Sequence, residues 1–504
     1  MSKYILFIAA SLLLFTACGE TLEDTYKDYS GDGEIRYVGK VKDLQANPGW
    51  ERVTVNWVNS DDPIVDQVEV KWTSDEVRDS VFLPAGTTSF DITGLTSGSS
   101  LQIDVMSVDK KLNESIPVTA YVRAYNQDHE MVQAFNRIVS RNFFLHDHLL
   151  LTFVGWDSQV EEAYVSYTHK STGKEGKFEL TEDVVSQLHA DIPDVDSSKP
   201  VKVYRTGRIE GCDDLINFDP IELDTDRAFN SEFKQELKRQ FGYDELVPDE
   251  FVNSVKTFDL DWDISDFADL LYFPNLKVLN LGKNRYVKAS QVDTKKGRSA
   301  VANADLCDWV ISELHKINGL TVNRYDNHFN ELDKTSVIKE MGHQAEPALK
   351  LLSLKGATVE VSPAEDEDLT AQGWSSHESA LIDGNDNTSW LPYTRSKSTT
   401  FTITIKLKEP TVVHGMRLAQ SYYVGSESTK QVLNPSYVYI TKSDNGTYYT
   451  IATNLEQTIL GNSTGEINII PFAKAEKMQY IRVKVTTPMF YKDYQVSLAG
   501  IDLY

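Results

Sequence analysis

The feature that most constrains this chain is alternation. "RVTVNW", ending at Trp57, and "QVEVKW", ending at Trp72, place apolar side chains at every second position, and turn residues separate them. Side chains on a strand point to opposite faces in turn, so such runs describe half-buried strands, and several in succession describe a β-sandwich. "FDITGLTSGSSLQIDVMSVD", starting at Phe90, adds a strand, a Gly/Ser turn and a second strand. From Arg141 the order repeats: "LLLTFVGW" ends at Trp156 and "EAYVSYT" stands where "VEVKWT" stood. Two tandem sandwiches are expected, over residues 37–124 and 125–225, with their tryptophans in the cores. "EMVQAFNRIV", from Glu130 to Val139, is apolar at helical spacing and predicts a short helix between them.

The first sandwich resembles the fibronectin type III, or immunoglobulin-like, pattern, with Leu101 where that family carries a tyrosine. The opening "DTYKDYSGDGEIRYVGKV" with "PGWERVTVNW" also resembles a family of unknown function found on Bacteroidetes lipoproteins, covering about residues 24–224. That resemblance implies a surface module and no known chemistry.

The N-terminus carries its own signal. Lys3 precedes an apolar run from Tyr4 to Phe15, long enough for a signal-peptide core and short of a bilayer span. "TACG" then brings small residues up to Cys18, which resembles the lipobox of bacterial lipoproteins, with Phe15 in place of the usual leucine. The resemblance implies removal of residues 1–17 and lipidation of Cys18. The acids Glu20, Glu23, Asp24 and Asp28 resemble a surface-export signal, so residues 18–36 read as an acidic tether on a lipid-anchored, outer-membrane, surface-exposed protein. The anchor would be the chain's sole membrane contact.

Acidic residues outnumber basic ones 75 to 50, a net charge of −25 that repels nucleic acid. Cys212 and Cys307 have no zinc-ligand spacing; they could pair with each other or each be small buried core residues, and the absence of a staple context favours the buried reading.

Past residue 225 the texture changes. In "SEFKQELKRQFG", Ser231 can cap a helix, Phe233, Leu237 and Phe241 share a face, and Gly242 stops it. Leu276, Leu279, Leu281 and Asn284 follow the spacing of a leucine-rich repeat, in which the asparagine serves backbone groups at the turn. Phe258 and Leu260 suggest an earlier copy, and residues 319–325 and 348–356 later strands, with an amphipathic helix of Leu306, Trp309, Val310 and Leu314 between those two. Residues 226–355 are therefore expected to form a short, irregular α/β leucine-rich segment.

The last part, residues 356–504, holds the sharpest motif. In "SSHESALIDGNDNTSWLPY", Ala380, Asp383, Gly384, Asn385, Thr388 and Trp390 resemble the opening of the discoidin, or F5/8 type C, family, a galactose-binding-like jelly roll. Asp383, a glycine turn and Thr388 suit a hard cation. The resemblance implies structural calcium held by carbonyls of Ala380 and Asn385, by Asp383 and Thr388, and by the Ala499 carbonyl; the family's glutamate is Gly500 here. It also implies sugar binding on loops at one end, where Tyr393, Arg395, Tyr422, Tyr423, Phe490, Tyr491 and Tyr494 are the candidate ligand-binding residues. Aromatic rings stack on the apolar face of a sugar, and polar groups read its hydroxyls.

Catalysis has no signature. There is no GxSxG, HExxH, P-loop or dinucleotide fingerprint, and "HDH" at His146 to His148 lacks a third ligand nearby. A glycosidase needs two carboxylates on a rigid scaffold, which abundant acids alone do not indicate. After four modules no stretch remains for a barrel of ~250 residues. The expected class is a mainly β, multidomain surface lipoprotein that binds polysaccharide without catalysis, alongside surface proteins of a glycan-uptake system. A protein-binding adhesin using the leucine-rich segment is the alternative, and an unrecognised hydrolase a third reading.

Overall fold

The computed structural model describes residues 37–75, 77–135, 137–287, 298–332, 336–363, 377–392, 397–422, 434–461, 463–490 and 493–504. The lipobox cysteine Cys18, the signal and the tether lie outside them.

The chain is mainly β, and both N-terminal units are sandwiches of a three-stranded and a four-stranded sheet. In the first, strands Lys42–Gly49, Arg52–Val58 and Ser89–Thr93 face strands Arg78–Pro84, Val65–Thr73, Leu101–Asp109 and Val118–Val122. Alternation does the work here: Val53, Val55 and Trp57 from one layer meet Val68, Val70, Ile103 and Val105 from the other. Trp72 packs at the margin of this core, tilted against Phe90, so both tryptophans are packing residues. The second unit repeats the scheme. The predicted linking helix shrinks to Glu130–Gln133, because the chain turns through Ile138 at φ 64° and enters strand Val139–Leu145 directly. His146 lies at the hairpin tip and bonds Asn318 Oδ1 at 3.0 Å, while His148 bonds Asp191 at 2.7 Å, so the HDH stretch serves structural contacts. Cys212 and Cys307 are buried free thiols, and burial raises the pKa of each.

Residues beyond 230 build a parallel four-stranded sheet in the order Thr257–Leu260, Val278–Leu281, Thr321–Tyr325 and Ile338–Gly342. Phe258, Leu279 and Val322 fall in register on the core side, under helices Ser231–Phe241 and Ala304–Asn318. On the other face Asn280 donates to Asp259 at 2.6 Å and accepts from Asn323 at 2.9 Å. Three local expectations change. Asn230, not Ser231, caps the first helix, accepting from the Phe233 amide. Asn284 donates to the Asp261 carboxylate at 3.0 Å instead of to backbone, because aspartates occupy the neighbouring strand end. Residues 348–356 are not a strand: Leu352 and Leu354 pack on the core of the next unit, and the Leu352 amide donates to the Leu503 carbonyl at 2.7 Å.

The C-terminal unit is an antiparallel sandwich wound around two long strands, Thr400–Gln420 and Ile467–Thr486, which pair along most of their length. Bulges after Lys406 and Val413 bend the ladder. Trp390 is fully buried, edge-on to Phe401 at 5.3 Å between ring centroids.

Candidate functional site: the turn and loop end of the C-terminal unit

The turn that carries the cation motif follows a short 3-10 helix, Glu378–Ile382, and Gly384 takes φ 73°, a conformation that favours glycine. Asp383 Oδ1 accepts the Asn385 amide at 2.8 Å. Thr388 Oγ1 lies 2.7 Å from both Asp383 Oδ2 and the Asn385 carbonyl. Ala380 is buried behind the turn, and Ala499 is buried at a bulge in the last strand.

A calcium ion asks for six to eight oxygens, from carboxylates, carbonyls and water. This turn carries two carboxylates, Asp383 and Asp386. A side chain at position 500 would start 3.7 Å from Asp386 Oδ1, so Asp386 stands where an acid at 500 would reach. Asp386 is already committed: Arg417 Nη2 holds its Oδ2 at 2.8 Å and Nη1 holds Oδ1 at 3.0 Å. The same guanidinium meets Glu346 at 2.8 and 3.1 Å and Asp502 at 3.1 Å. Burial works against the Arg417 charge, yet the bonds to Asp386 and Glu346 hold its proton tighter than water would. Burial pushes the Asp502 carboxyl up, and Arg417 opposes it. The positive charge that the structure places beside the turn belongs to an arginine.

Next to the turn, buried polar side chains tie the bases of several loops together. Ser389 Oγ lies 2.7 Å from Ser421 Oγ. The Ser421 amide donates to Asn434 Oδ1 at 3.1 Å, and Asn434 Nδ2 donates to the Ser463 carbonyl at 3.2 Å. Gln420 Nε2 donates to the carbonyls of Pro435 and Gly461, at 3.1 and 2.6 Å. Asn468 Oδ1 accepts the Gly461 amide at 2.7 Å. Across the end, the Thr487 amide donates to the Thr399 carbonyl at 2.9 Å. Buried amide side chains locked this way hold loop bases rigidly, since each broken bond would strand a buried polar group.

Of the predicted ligand-binding residues, Tyr422 is half-buried. Its ring lies on Gly465, where a Cβ would come within 2.3 Å of Tyr422 Cε1 and where φ is 66°. Only glycine fits there. Tyr393, Arg395, Tyr423 and Tyr491 lie outside the described residues, as do the side chains of Phe490 and Tyr494, whose backbones pair in the Met489–Phe490 and Asp493–Tyr494 ladder. The described ends of the chain stretches bearing these candidates are joined in two pairs, Ser389 with Ser421 and Thr399 with Thr487. Sequence reasoning missed Arg417, Gln420 and Asn434. For the first two a signal existed, since "MRLAQ" interrupts an otherwise apolar strand with Arg417 and Gln420.

Residues 362–497 match the F5/8 type C domain family. The C-terminal unit is an F5/8 type C domain. Residues 18–206 match DUF4998, a domain of unknown function. No curated protein matches the chain. Among solved structures, the chain is similar to the chitosan-binding module 1 from a chitosanase/glucanase of Paenibacillus sp. IK-5, at 22% identity over 29% of this chain and 93% of that one, TM-score 0.21. CBM32-1 from a family 31 glycoside hydrolase of Clostridium perfringens matches at 17% identity, over 30% and 95% of the two chains, TM-score 0.23. A two-domain fibronectin type III segment of chicken tenascin matches at 16% identity, over 36% and 97%, TM-score 0.18. Among the described residues of the F5/8 type C domain and the rest of the chain, no group of three or more His, Cys, Asp or Glu side chains is arranged to hold a metal.

Proposed function

We propose that this chain is a non-catalytic, surface-exposed lipoprotein that captures carbohydrate on the loop end of its F5/8 type C domain. The observation that carries the reading is the buried polar scaffold of Ser389, Gln420, Ser421 and Asn434, which ties together described residues next to Tyr393, Arg395, Tyr422 and Tyr423 in the chain. A preformed site of aromatic and polar groups is what recognition of a flat, hydroxylated ligand needs. The carbohydrate-binding modules among the similar structures point the same way. The lipid anchor at Cys18 is supported by the lipobox-like "TACG" and the apolar run before it. No helix among the described residues is long and apolar enough to cross a membrane.

Glycan-array binding of the full chain, released from its anchor by a Cys18→Ser substitution, tests the ligand class. Retention on at least one polysaccharide family, weakened by Tyr422→Ala, is expected. Uniformly negative arrays together with a clear protein ligand would overturn it and favour the adhesin alternative. Metabolic labelling with a radioactive fatty acid, lost in the Cys18→Ser chain, tests the anchor.

A further inference from the structure

The Ser231–Phe241 helix faces residues 453–459 of the F5/8 type C domain. A cleft of about 530 Å³ opens there, lined by Gln235 and Lys238 on one side and Leu455, Gln457 and Ile459 on the other. It continues inward as a 210 Å³ chamber reaching Arg239 and Trp262. A 70 Å³ recess beyond borders Trp262, Asn454 and Asn468. Leu455 and Ile459 line all three spaces, so they form one groove.

The groove is held in shape from both walls. Asn454 Nδ2 donates to the Arg239 carbonyl at 3.2 Å, bridging the two units. The Arg239 guanidinium is fixed by Glu236 at 2.9 Å and lies 3.6 Å from Asp261. The guanidinium carbon of Arg285 sits 4.6 Å from the centre of the Trp262 ring. One polar group remains unused. The Trp262 Nε1–H is buried and has no acceptor among the described residues. Native proteins rarely leave a buried N–H unpaired, because it has lost water and gained nothing.

We propose that this groove is a second carbohydrate-binding site, taking a segment of an uncharged polysaccharide. Sugars present a C–H face and a rim of hydroxyls. The groove offers Trp262, Leu455 and Ile459 to the first, and Gln235, Asn454 and Gln457 to the second. Its size falls within the range of small-ligand sites, ~300–1,000 Å³. Acids in and around it, Asp244, Glu245 and Glu456, disfavour anionic glycans. Neither module builds the groove alone, so the site belongs to the docked pair. It adjoins the loop-base network at Asn468, but Trp262, Leu455 and Ile459 lie outside that network, so the proposal does not depend on the loop-end reading.

Affinity gel electrophoresis of the full chain against soluble β-glucan, galactomannan and mannan tests this, with Trp262→Phe, Ile459→Asp and Tyr422→Ala as variants. Trp262→Phe replaces the indole with a smaller ring and deletes the N–H. It is expected to weaken binding about five-fold, roughly the worth of one aromatic contact. Ile459 is 38% exposed, so its aspartate variant should fold normally and lose most groove binding. Tyr422→Ala should leave the groove component intact. If Trp262→Phe and Ile459→Asp both bind every retained polysaccharide as the parent does, the groove proposal is wrong, whatever Tyr422→Ala shows about the loop end. If those two lose binding and Tyr422→Ala does not, the groove stands and the loop-end reading falls. A parent chain that none of the three polysaccharides retains overturns the groove, while positive glycan arrays would still leave the loop end supported.

Discussion

Removing the Glu466 carboxylate should unlock the F5/8 type C domain from the parallel-sheet unit. Arg285 and Glu466 are 4% and 1% exposed, come from different units, and pair through Arg285 Nε and through Nη2 at 3.1 Å. Arg285 Nη1 also donates to Ser299 Oγ at 2.7 Å and to the Asp261 carbonyl at 3.2 Å. Those neutral partners cannot balance a buried guanidinium once the carboxylate is gone. Glu466→Ala should therefore cost about 3–5 kcal/mol, the usual consequence of orphaning one half of a buried pair. Glu466→Gln keeps the shape and an acceptor and should cost about 1–3 kcal/mol. The double variant Arg285→Met with Glu466→Leu removes both charges and should recover most of the loss, since a buried pair is often no better than well-packed apolar residues. The reporter is the Ile467 amide, which donates to the Tyr286 carbonyl across the interface at 2.8 Å. If it exchanges only on undocking, its hydrogen-exchange protection should fall by roughly two to three and a half decades in Glu466→Ala. The exposed pair Lys42 and Asp61 provides the control. Ile467 protection changing no more in Glu466→Ala than in Asp61→Ala would refute the claim that this pair is dry and holds the interface.

Four further outcomes follow from the same structure. His328 is 3% exposed, and burial first, then Arg285 and Arg298, push its pKa down to about 3 from 6.5. A depressed folded-state pKa gives stability that is present above 6.5 and lost as pH falls towards 3. By pH 5 the loss should reach about 2 kcal/mol, and His328→Gln should flatten that slope in denaturant titrations. Because Arg417 supplies the positive charge beside the 383–388 turn, adding calcium or a chelator should leave the melting of the F5/8 type C domain unchanged in calorimetry. Arg417→Ala should lower that melting by an amount worth about 3–5 kcal/mol, as three carboxylates lose their shared partner. Gly465→Ala places a methyl group against the Tyr422 ring at positive φ, so it should cost about 1–2 kcal/mol and alter polysaccharide binding through Tyr422.

Alternation made the sandwiches legible. Val53, Val55, Val68 and Val70 are buried because every second residue of a strand must face the same way, and that rule needs no tertiary knowledge. The parallel sheet was half legible: the spacing of Leu279 and Leu281 marks a strand, and the earlier copy at Phe258 and Leu260 pairs with it in register. The stretch 348–356 misled because its leucines are periodic, yet they serve the neighbouring unit's core. Periodicity reports which residues are buried and is silent on what they are buried against. The turn motif located Asp383 and Thr388, but its charge balance depends on Glu346, Arg417 and Asp502, which come from three distant parts of the chain. Such convergence has no local sequence signature. The groove at Trp262 is hidden for the same reason, since its two walls belong to different units.

One feature of the second sandwich bears on how the chain carries load. Phe143, Leu145 and Leu150 do not stay within their own sandwich; they belong to the same apolar core as Phe258, Leu279 and Val322. Towards the other end, Arg285 and Glu466 seal the next junction. At the junction between the two sandwiches Trp50 packs on the second core, and Asp214 accepts from Arg52 at 2.8 Å and from the Trp50 amide at 2.7 Å, with Arg52 and Asp214 both partly open to water. If the N-terminus is tethered and a ligand is held at the C-terminal unit, as proposed, tension would reach the water-exposed Arg52–Asp214 contact. The three units past it are joined by a shared apolar core and a buried ion pair.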